Sequence, residues 1–252
     1  MLKVDHMTLR FGELIANNDV CLEVPDNKVV ALIGPNGAGK TTCFNCISGV
    51  YNANEGTIDF NGHNIKGLKP YQIHNKGISR TYQIINLFAD MTVVENVMVA
   101  MHADLKANFF DSMFHTKKHR TEEKEAYERA YELLDFVNLK DKALLPAGSL
   151  PYGEQRLLEI VRALASNPTL LLLDEPAAGM NSKEKTDLDK TIKRIMQRWD
   201  LSVLIVEHDM DLVMNISDYI YVLNYGKMLA SGTPEQIQKN PEVIEAYLGG
   251  DE

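Results

Sequence analysis

The stretch Val29-Val30-Ala31-Leu32-Ile33-Gly34-Pro35-Asn36-Gly37-Ala38-Gly39-Lys40-Thr41-Thr42 decides the reading of this chain. A short apolar run passes directly into Gly-x4-Gly-Lys-Thr, the pattern of a phosphate-binding loop set between a strand and a helix. The glycines let successive backbone N–H groups curl inward around a triphosphate, while Lys40 adds a point charge and Thr41 a hydroxyl for Mg2+. The helix that follows, through Phe44 and Ile47, turns the positive end of its dipole toward the same phosphates. The spacing therefore predicts nucleoside triphosphate binding.

With 252 residues the chain can bury a substantial core, and one large domain or a core with a subdomain is expected. A formal charge of −9 argues against a surface that neutralises many nucleic-acid phosphates. The one dense basic run, Lys117-Lys118-His119-Arg120, leads into Glu122, Glu123 and Glu125 and reads as a solvated helix start. No segment approaches the roughly 18 apolar residues needed to cross a bilayer, so a soluble protein is expected, with any membrane association through a partner. The three cysteines, Cys21, Cys43 and Cys46, are too few for a disulfide framework and fit a reducing compartment such as the cytoplasm. Cys43 and Cys46 have Cys-x-x-Cys spacing but follow the phosphate loop on its helix, where packing is the simpler reading. His115 and His119 stand four apart without the intervening Glu or third ligand of a zinc site.

Outward from the loop, short runs rich in β-branched residues or leucine recur at 20–24, 57–60, 170–173, 203–206 and 219–223, with helical patterns between several of them. The alternation predicts an α/β fold. The runs at 29–33, 170–173 and 203–206 are apolar without a period of two, as expected for central parallel strands covered on both faces. The runs before Val29 and after Tyr219 alternate more, which predicts antiparallel strands at the margins. Asn224-Tyr225-Gly226 supplies a turn for a hairpin of 219–223 with 227–231. Between about 84 and 166 strand signals nearly vanish; 121–137 places Ala126, Ala130, Leu133, Leu134 and Val137 on one helical face, and a second helix is expected over 151–166. This middle stretch reads as a helical subdomain inserted into the sheet. The expected division is 1–83 for the first part of the nucleotide-binding core, 84–162 for the helical subdomain, and 163–252 for the second part of the core and the tail.

Leu170-Leu171-Leu172-Leu173-Asp174-Glu175 ends a buried strand in two carboxylates, and that strand is expected beside the one feeding the phosphate loop. Asp174 with Thr41 suffices to hold Mg2+, which prefers oxygen ligands and keeps several waters. Glu175 points differently and can serve as general base toward a water in line with the γ-phosphate. Val203-Leu204-Ile205-Val206-Glu207-His208 delivers an imidazole to the same edge, where ligands of parallel sheets bind.

Together with Leu150-Pro151-Tyr152-Gly153-Glu154-Gln155 and Gln83, these motifs resemble the ATP-binding cassette (ABC) ATPases over essentially the whole chain. The resemblance implies a P-loop core with a mixed sheet, an antiparallel β margin and the helical insertion. It implies that Phe11 stacks on adenine, that Gly34, Asn36, Gly37, Ala38, Gly39, Lys40, Thr41 and Thr42 cradle the phosphates, and that Gln83 links Mg2+ or water to the helical subdomain. Asp174 would ligand Mg2+, Glu175 polarise the attacking water and His208 sense the γ-phosphate. Leu150 to Gln155, with Gly153 and Glu154, would be the signature motif that completes the ATP site of a second copy or of a paralogous cassette, and Ala178 to Asn181 the loop that communicates across the dimer. Two departures stand out. Pro151 and Tyr152 replace the usual Ser and Gly of the signature, removing a hydroxyl and an N–H; Asn181 replaces the commoner Asp but keeps an N-cap, with Glu184 as its capping-box partner.

Finer similarity runs through Arg80-Thr81-Tyr82-Gln83, Leu87-Phe88, Met91 to Val97, the insert at 104–120, Tyr152 to Arg156, Ala177 to Asn181, Gly232 to Glu235 and Ala246 to Gly249. It points to the ATP-binding subunits of bacterial high-affinity branched-chain amino acid importers. Such a subunit would bind integral membrane permease subunits at the inner face of the cell membrane, touching neither nucleic acid nor the transported substrate; urea or an exported lipid is the alternative cargo. The apolar cluster Ile84, Ile85, Leu87, Phe88 and Met91 either receives a permease helix or packs the subdomain junction. A GTPase is disfavoured because Asn75-Lys76-Gly77-Ile78 fails the Asn-Lys-x-Asp guanine pattern, and a DNA- or ribosome-directed ATPase because tandem cassettes and a long coiled-coil insert are missing.

Overall fold

All five residues of β3 (Val29–Ile33) are buried, and their side chains divide between two cores: Val29, Ala31 and Ile33 face one, Val30 and Leu32 the other. The division continues in β7 (Leu170–Asp174) and β8 (Ser202–Val206), where Leu171, Leu173, Val203 and Ile205 face the first core and Leu170, Leu172, Leu204 and Val206 the second. Successive side chains of a strand point to opposite faces, so an unbroken apolar run is what a strand covered on both sides requires. The computed structural model describes residues 1–101 and 117–248, with side chains described for 1–101 and 121–247. Most of the insert at 104–120, with His115 and the side chain of His119, lies outside the described residues.

The main sheet has the order β10-β9-β3-β8-β7-β6, with β6 (Ile78–Arg80), β9 (Tyr219–Asn224) and β10 (Lys227–Gly232). β6, β7, β8, β3 and β9 run parallel, and β10 returns antiparallel to β9. The strand ending in Asp174 does not adjoin β3, contrary to expectation: β8 separates them, pairing Val203 with both Val29 and Leu171. Buried parallel strands read alike in sequence, so composition does not rank them across a sheet. The three strands still deliver their C-terminal ends to one edge. The hairpin of β9 and β10 turns at Tyr225 and Gly226, both at positive φ as a tight type I′ connection requires. The antiparallel margin is as expected at β10, which returns along β9, while β9 itself runs parallel to β3.

The alternating run before Val29 lies outside this sheet. It forms the end of β2 (Leu14–Val24) in a separate four-stranded antiparallel sheet, β2-β1-β4-β5, with β1 (Leu2–Phe11), β4 (Glu55–Phe60) and β5 (His63–Asn64). β1 escaped the sequence reading because bulges break its period between Val4 and Leu9. His6 and Asp19 both take left-handed backbone there, and His6 Nδ1 lies 2.6 Å from Asp19 Oδ1. α1 (Lys40–Ile47) fills the second core between the two sheets with Phe44, Ile47, Cys43 and Cys46. Burying a side chain such as Phe44 contributes about 2–3 kcal/mol. Burial pushes the Cys46 thiol up to about 11 and Cys43 higher still, so these cysteines pack, as expected.

The first core is closed by helices. α3 (Val93–Met101), α4 (Lys117–Phe136) and α5 (Tyr152–Leu164) follow β6, while α6 (Ser182–Trp199) and α7 (Met210–Ile216) flank β8. α4 buries Ala130, Leu133 and Leu134, the expected stripe, with Val137 just beyond its end. α5 begins one residue later than expected, with Pro151 as N-cap rather than inside the first turn. A short α2 (Pro70–His74) precedes β6, and α8 (Pro234–Gln238) and α9 (Pro241–Leu248) follow the hairpin. Among the described residues no helix is long and apolar enough to cross a membrane.

Candidate functional site

The loop between β3 and α1 is shaped by two glycines with no freedom to be anything else. A Cβ on Gly34, at φ 147°, would lie 2.0 Å from Leu223 O, and one on Gly39, at φ 98°, 2.6 Å from Ala16 O. Gly39 is the N-cap of α1, and its carbonyl accepts from Asn17 Nδ2 at 3.1 Å. The loop is thus wedged against the β9–β10 turn on one side and β2 on the other, with Gly226 N–H donating to Ala38 O at 3.0 Å. Lys40 is buried, and its ammonium donates to Gly34 O at 2.7 Å and Pro35 O at 2.9 Å. Burial holds its pKa below the usual lysine range, opposed by the carboxylates of Glu175 and Asp174. An ammonium has three protons, so one remains for a ligand oxygen.

Asp174, the last residue of β7, is 2% exposed. Its Oδ2 accepts from Arg80 at 2.7 Å, while Oδ1 is buried with no hydrogen-bond partner among the described residues. A buried carboxylate oxygen left without a partner is costly, and a hard divalent cation at that oxygen removes the cost. The donor set of Asp174 and Thr41 suits Mg2+. Glu175 has a left-handed backbone at φ 48°, a conformation that costs about 1–3 kcal/mol for a non-glycine residue. Its Oε2 accepts from Gln83 Nε2 at 2.8 Å, and its Oε1 lies 2.8 Å from His208 Nε2. Gln83 keeps its amide oxygen as an acceptor in this arrangement.

Phe11, Asn36, Gly37, Ala38, Gly39, Lys40, Thr41, Thr42, Gln83, Glu175 and His208 line one open cleft of about 570 Å³, a size in the range of cofactor sites. Phe11 stands at its mouth, 46% exposed and edge-on to Tyr51 with centroids 5.2 Å apart, leaving an aromatic face free to stack. Gly34 and Asp174 are not among the residues that line the cleft. The structure does not bring the signature residues to this cleft. Gly153, Glu154 and Asn181 border a separate hollow of about 360 Å³ beside Pro151, and Leu150 is buried next to it. Asn181 caps α6 as expected, accepting from Lys183 and Glu184 while the Glu184 carboxylate accepts from Asn181 N–H. A Cβ on Gly153 would meet the Glu184 carboxylate at 2.6 Å, so a side chain there would have to displace the Glu184 side chain.

Four buried charges around the cleft were not singled out in the sequence. Arg80 ties Asp174 to Asn45 Oδ1 and Ser48 Oγ of the loop helix and lies over the Phe44 and Tyr82 rings. Glu207 accepts from the N–H groups of Ala177, His208 and Asp209, joining the ends of β7 and β8; burial pushes its carboxyl up, and these bonds oppose the rise. Arg156 and Glu159 of α5 form a fully buried pair, in which burial raises the Glu159 carboxyl and Arg156 opposes it. The only signal available was position beside a motif, since sequence does not mark which charges are buried.

A parallel sheet with a phosphate loop at its carboxyl edge is the architecture of P-loop ATPases, and the bonding of Glu175 to His208 and Gln83 beyond that loop gives this nucleotide-binding enzyme the means to hold a water. Within that class the chain belongs to the ABC transporter family, whose sequence profile matches residues 17–178. A second profile, of the branched-chain amino acid ATP-binding cassette transporters, matches residues 227–252. The chain is 50% identical over 249 residues, 99% of its length and 98% of the relative's, to the high-affinity branched-chain amino acid transport ATP-binding protein BraF of Pseudomonas aeruginosa. It is 47% identical, with the same coverage, to the corresponding protein LivG of Escherichia coli. Its fold superposes with a TM-score of 0.86 on a crystal structure of the ADP conformation of an ATP-binding cassette of an ABC transporter, at 32% identity and covering 99% of this chain and 98% of that one. A nucleotide-free cassette gives 0.84 at 31% identity, with 98% of each chain covered.

Proposed function

We propose that this chain is the ATP-binding and ATP-hydrolysing subunit of a branched-chain amino acid importer, working as one of a pair of cassettes. The observation that carries the paired mechanism is the separation of the cleft from the signature hollow on a single chain. The Gly153 amide and the N-terminal dipole of α5 have no ligand to meet in their own cleft, so they serve the ATP of a facing cassette. The cargo follows from the near-full-length similarity to BraF and LivG and from the matching tail.

In this reading Phe11 stacks on adenine, residues 34–42 cradle the phosphates, and Lys40 donates its remaining N–H to a phosphate oxygen. Thr41, Asp174 and Gln83 hold Mg2+, which supplies charge neutralisation at the phosphates when bound. Glu175 accepts a proton from the attacking water, with its carboxylate aimed by Gln83 and His208. His208 can then follow the γ-phosphate, since it shares the cleft. Residues 84–162 act as the helical subdomain between the two parts of the core. Ile84 and Phe88, 82% and 51% exposed, receive a helix of membrane permease subunits, which places the cassette on the cytoplasmic face of the membrane.

Glu175→Gln keeps the shape and removes the base. It is expected to lower ATP turnover about 10²–10⁴-fold, and light scattering is expected to show a dimer only with Mg-ATP present. A monomer that still binds ATP would refute a self-sufficient pair and point to a paralogous cassette. Uptake of leucine that is unchanged by deleting the chain from its host would refute the cargo.

A further inference from the structure

Arg156 and Glu159 lie on α5 just beyond Gly153, with 0% and 1% of their side-chain surface exposed and 2.7 Å between them. A buried ion pair is weak evidence of stabilisation by itself, so what else the pair holds is informative. Arg156 NH1 also donates to Tyr82 O at 2.6 Å, and NH2 to Gln83 O at 2.8 Å. Glu159 Oε1 accepts from Tyr82 N–H at 3.3 Å. Three backbone groups of one exposed, irregular segment therefore end on this one buried pair, two on Arg156 and one on Glu159. The Gln83 side chain runs the other way, to Glu175 at 2.8 Å. Tyr152, 3.4 Å from Arg156 NH2 through its hydroxyl, lies against Gly179, where a Cβ would come within 3.0 Å of the ring.

We infer that Arg156, braced by Glu159, is a positioning residue that fixes Gln83 against Glu175 and so couples the signature helix to the chain's own ATP cleft. The inference rests on the proposed function, in which the Gly153 end of α5 faces the ATP of a second cassette. A rigid shift of α5 on that ATP carries the fork with it, and the fork carries the backbone of Gln83. The geometry of Glu175 in one cleft then depends on occupancy of the other. Only a planar guanidinium reaches two successive carbonyls and a carboxylate at once, so lysine does not substitute for it.

The test is a double-mutant cycle in ATP turnover on the full chain. Arg156→Lys is expected to lower kcat about ten- to a hundredfold, with KM for ATP nearly unchanged and cooperativity in ATP lost. In a Gln83→Ala background the same substitution is expected to have little further effect, because the residue it acts through is gone. Should Arg156→Lys fold poorly, the pair Arg156→Met and Glu159→Met removes both charges, leaves neither unpaired, and is expected to show the same pattern. Hydrogen exchange at the Tyr82 amide, the N–H held by Glu159, is expected to quicken in each variant while β7 stays protected. Losses that multiply across the two backgrounds, or exchange at Tyr82 that stays slow, would overturn the clamp. A wild-type chain without ATP turnover would count against the proposed function instead, and the exchange result would then decide the clamp alone.

Discussion

Gly34 and Gly37 belong to the same loop, yet they answer to different physics. Both have positive φ, but a Cβ on Gly34 would meet Leu223 O at 2.0 Å whereas one on Gly37 meets nothing within 4 Å. Gly37→Ala is therefore expected to cost only its backbone strain, about 1–2 kcal/mol, and to leave a folded chain. Gly34→Ala must also push β9 away from β3, with a thermal melt shifted much further and nucleotide binding lost. Equal melts for the two variants would show that the close approach to β9 does not matter. The loop was legible because glycines, a lysine and a threonine at fixed spacing have few other uses. Arg80 and Arg156 were not, because an arginine carries the same letter in solvent and beneath a site; only the folded chain reveals that one braces Asp174 and the other Gln83.

Among the elements, α7 shows how a short helix at the rim is secured. Its N-cap Asp209 accepts from Leu212 N–H at 3.0 Å and from Lys185 Nζ of α6 at 2.6 Å. The bond from Lys185, with that from Leu212, holds the Asp209 carboxyl below its ordinary value of 3.8. A carboxylate depressed in the folded state stabilises above its unfolded pKa, and that contribution is lost as pH falls through the lower folded value. Asp209→Ala is thus expected to cost about 1 kcal/mol at neutral pH. The gap to wild type should close in melts taken progressively below pH 4. A gap independent of pH would mean that packing, rather than the charged cap, is responsible. Helices such as α4 and α5 were readable from their apolar stripes, and β3, β7 and β8 from their unbroken apolar runs. β1 was not, since its alternation is interrupted where His6 and Asp19 turn to left-handed backbone, and β6, with three residues, exists through its pairing with β7.

Across the whole molecule, strand order was the least readable property. Leu171 and Val29 both flank Val203, and no local pattern distinguishes a first neighbour from a second. The function survived that error because the chemistry depends on which edge a strand reaches, not on its rank in the sheet. One feature of the second core gives the molecule a built-in reporter. Cys43 and Cys46 are sealed between the two sheets directly behind the phosphate loop, while Cys21 is only half-buried on β2. A maleimide should consume one thiol per native chain and three after unfolding, and ligands that tighten the loop should slow the second and third reactions without touching the first. Three thiols consumed together in the native chain would contradict the sealed core. The slow pair would act as an internal clock, timing how often the floor beneath the nucleotide opens.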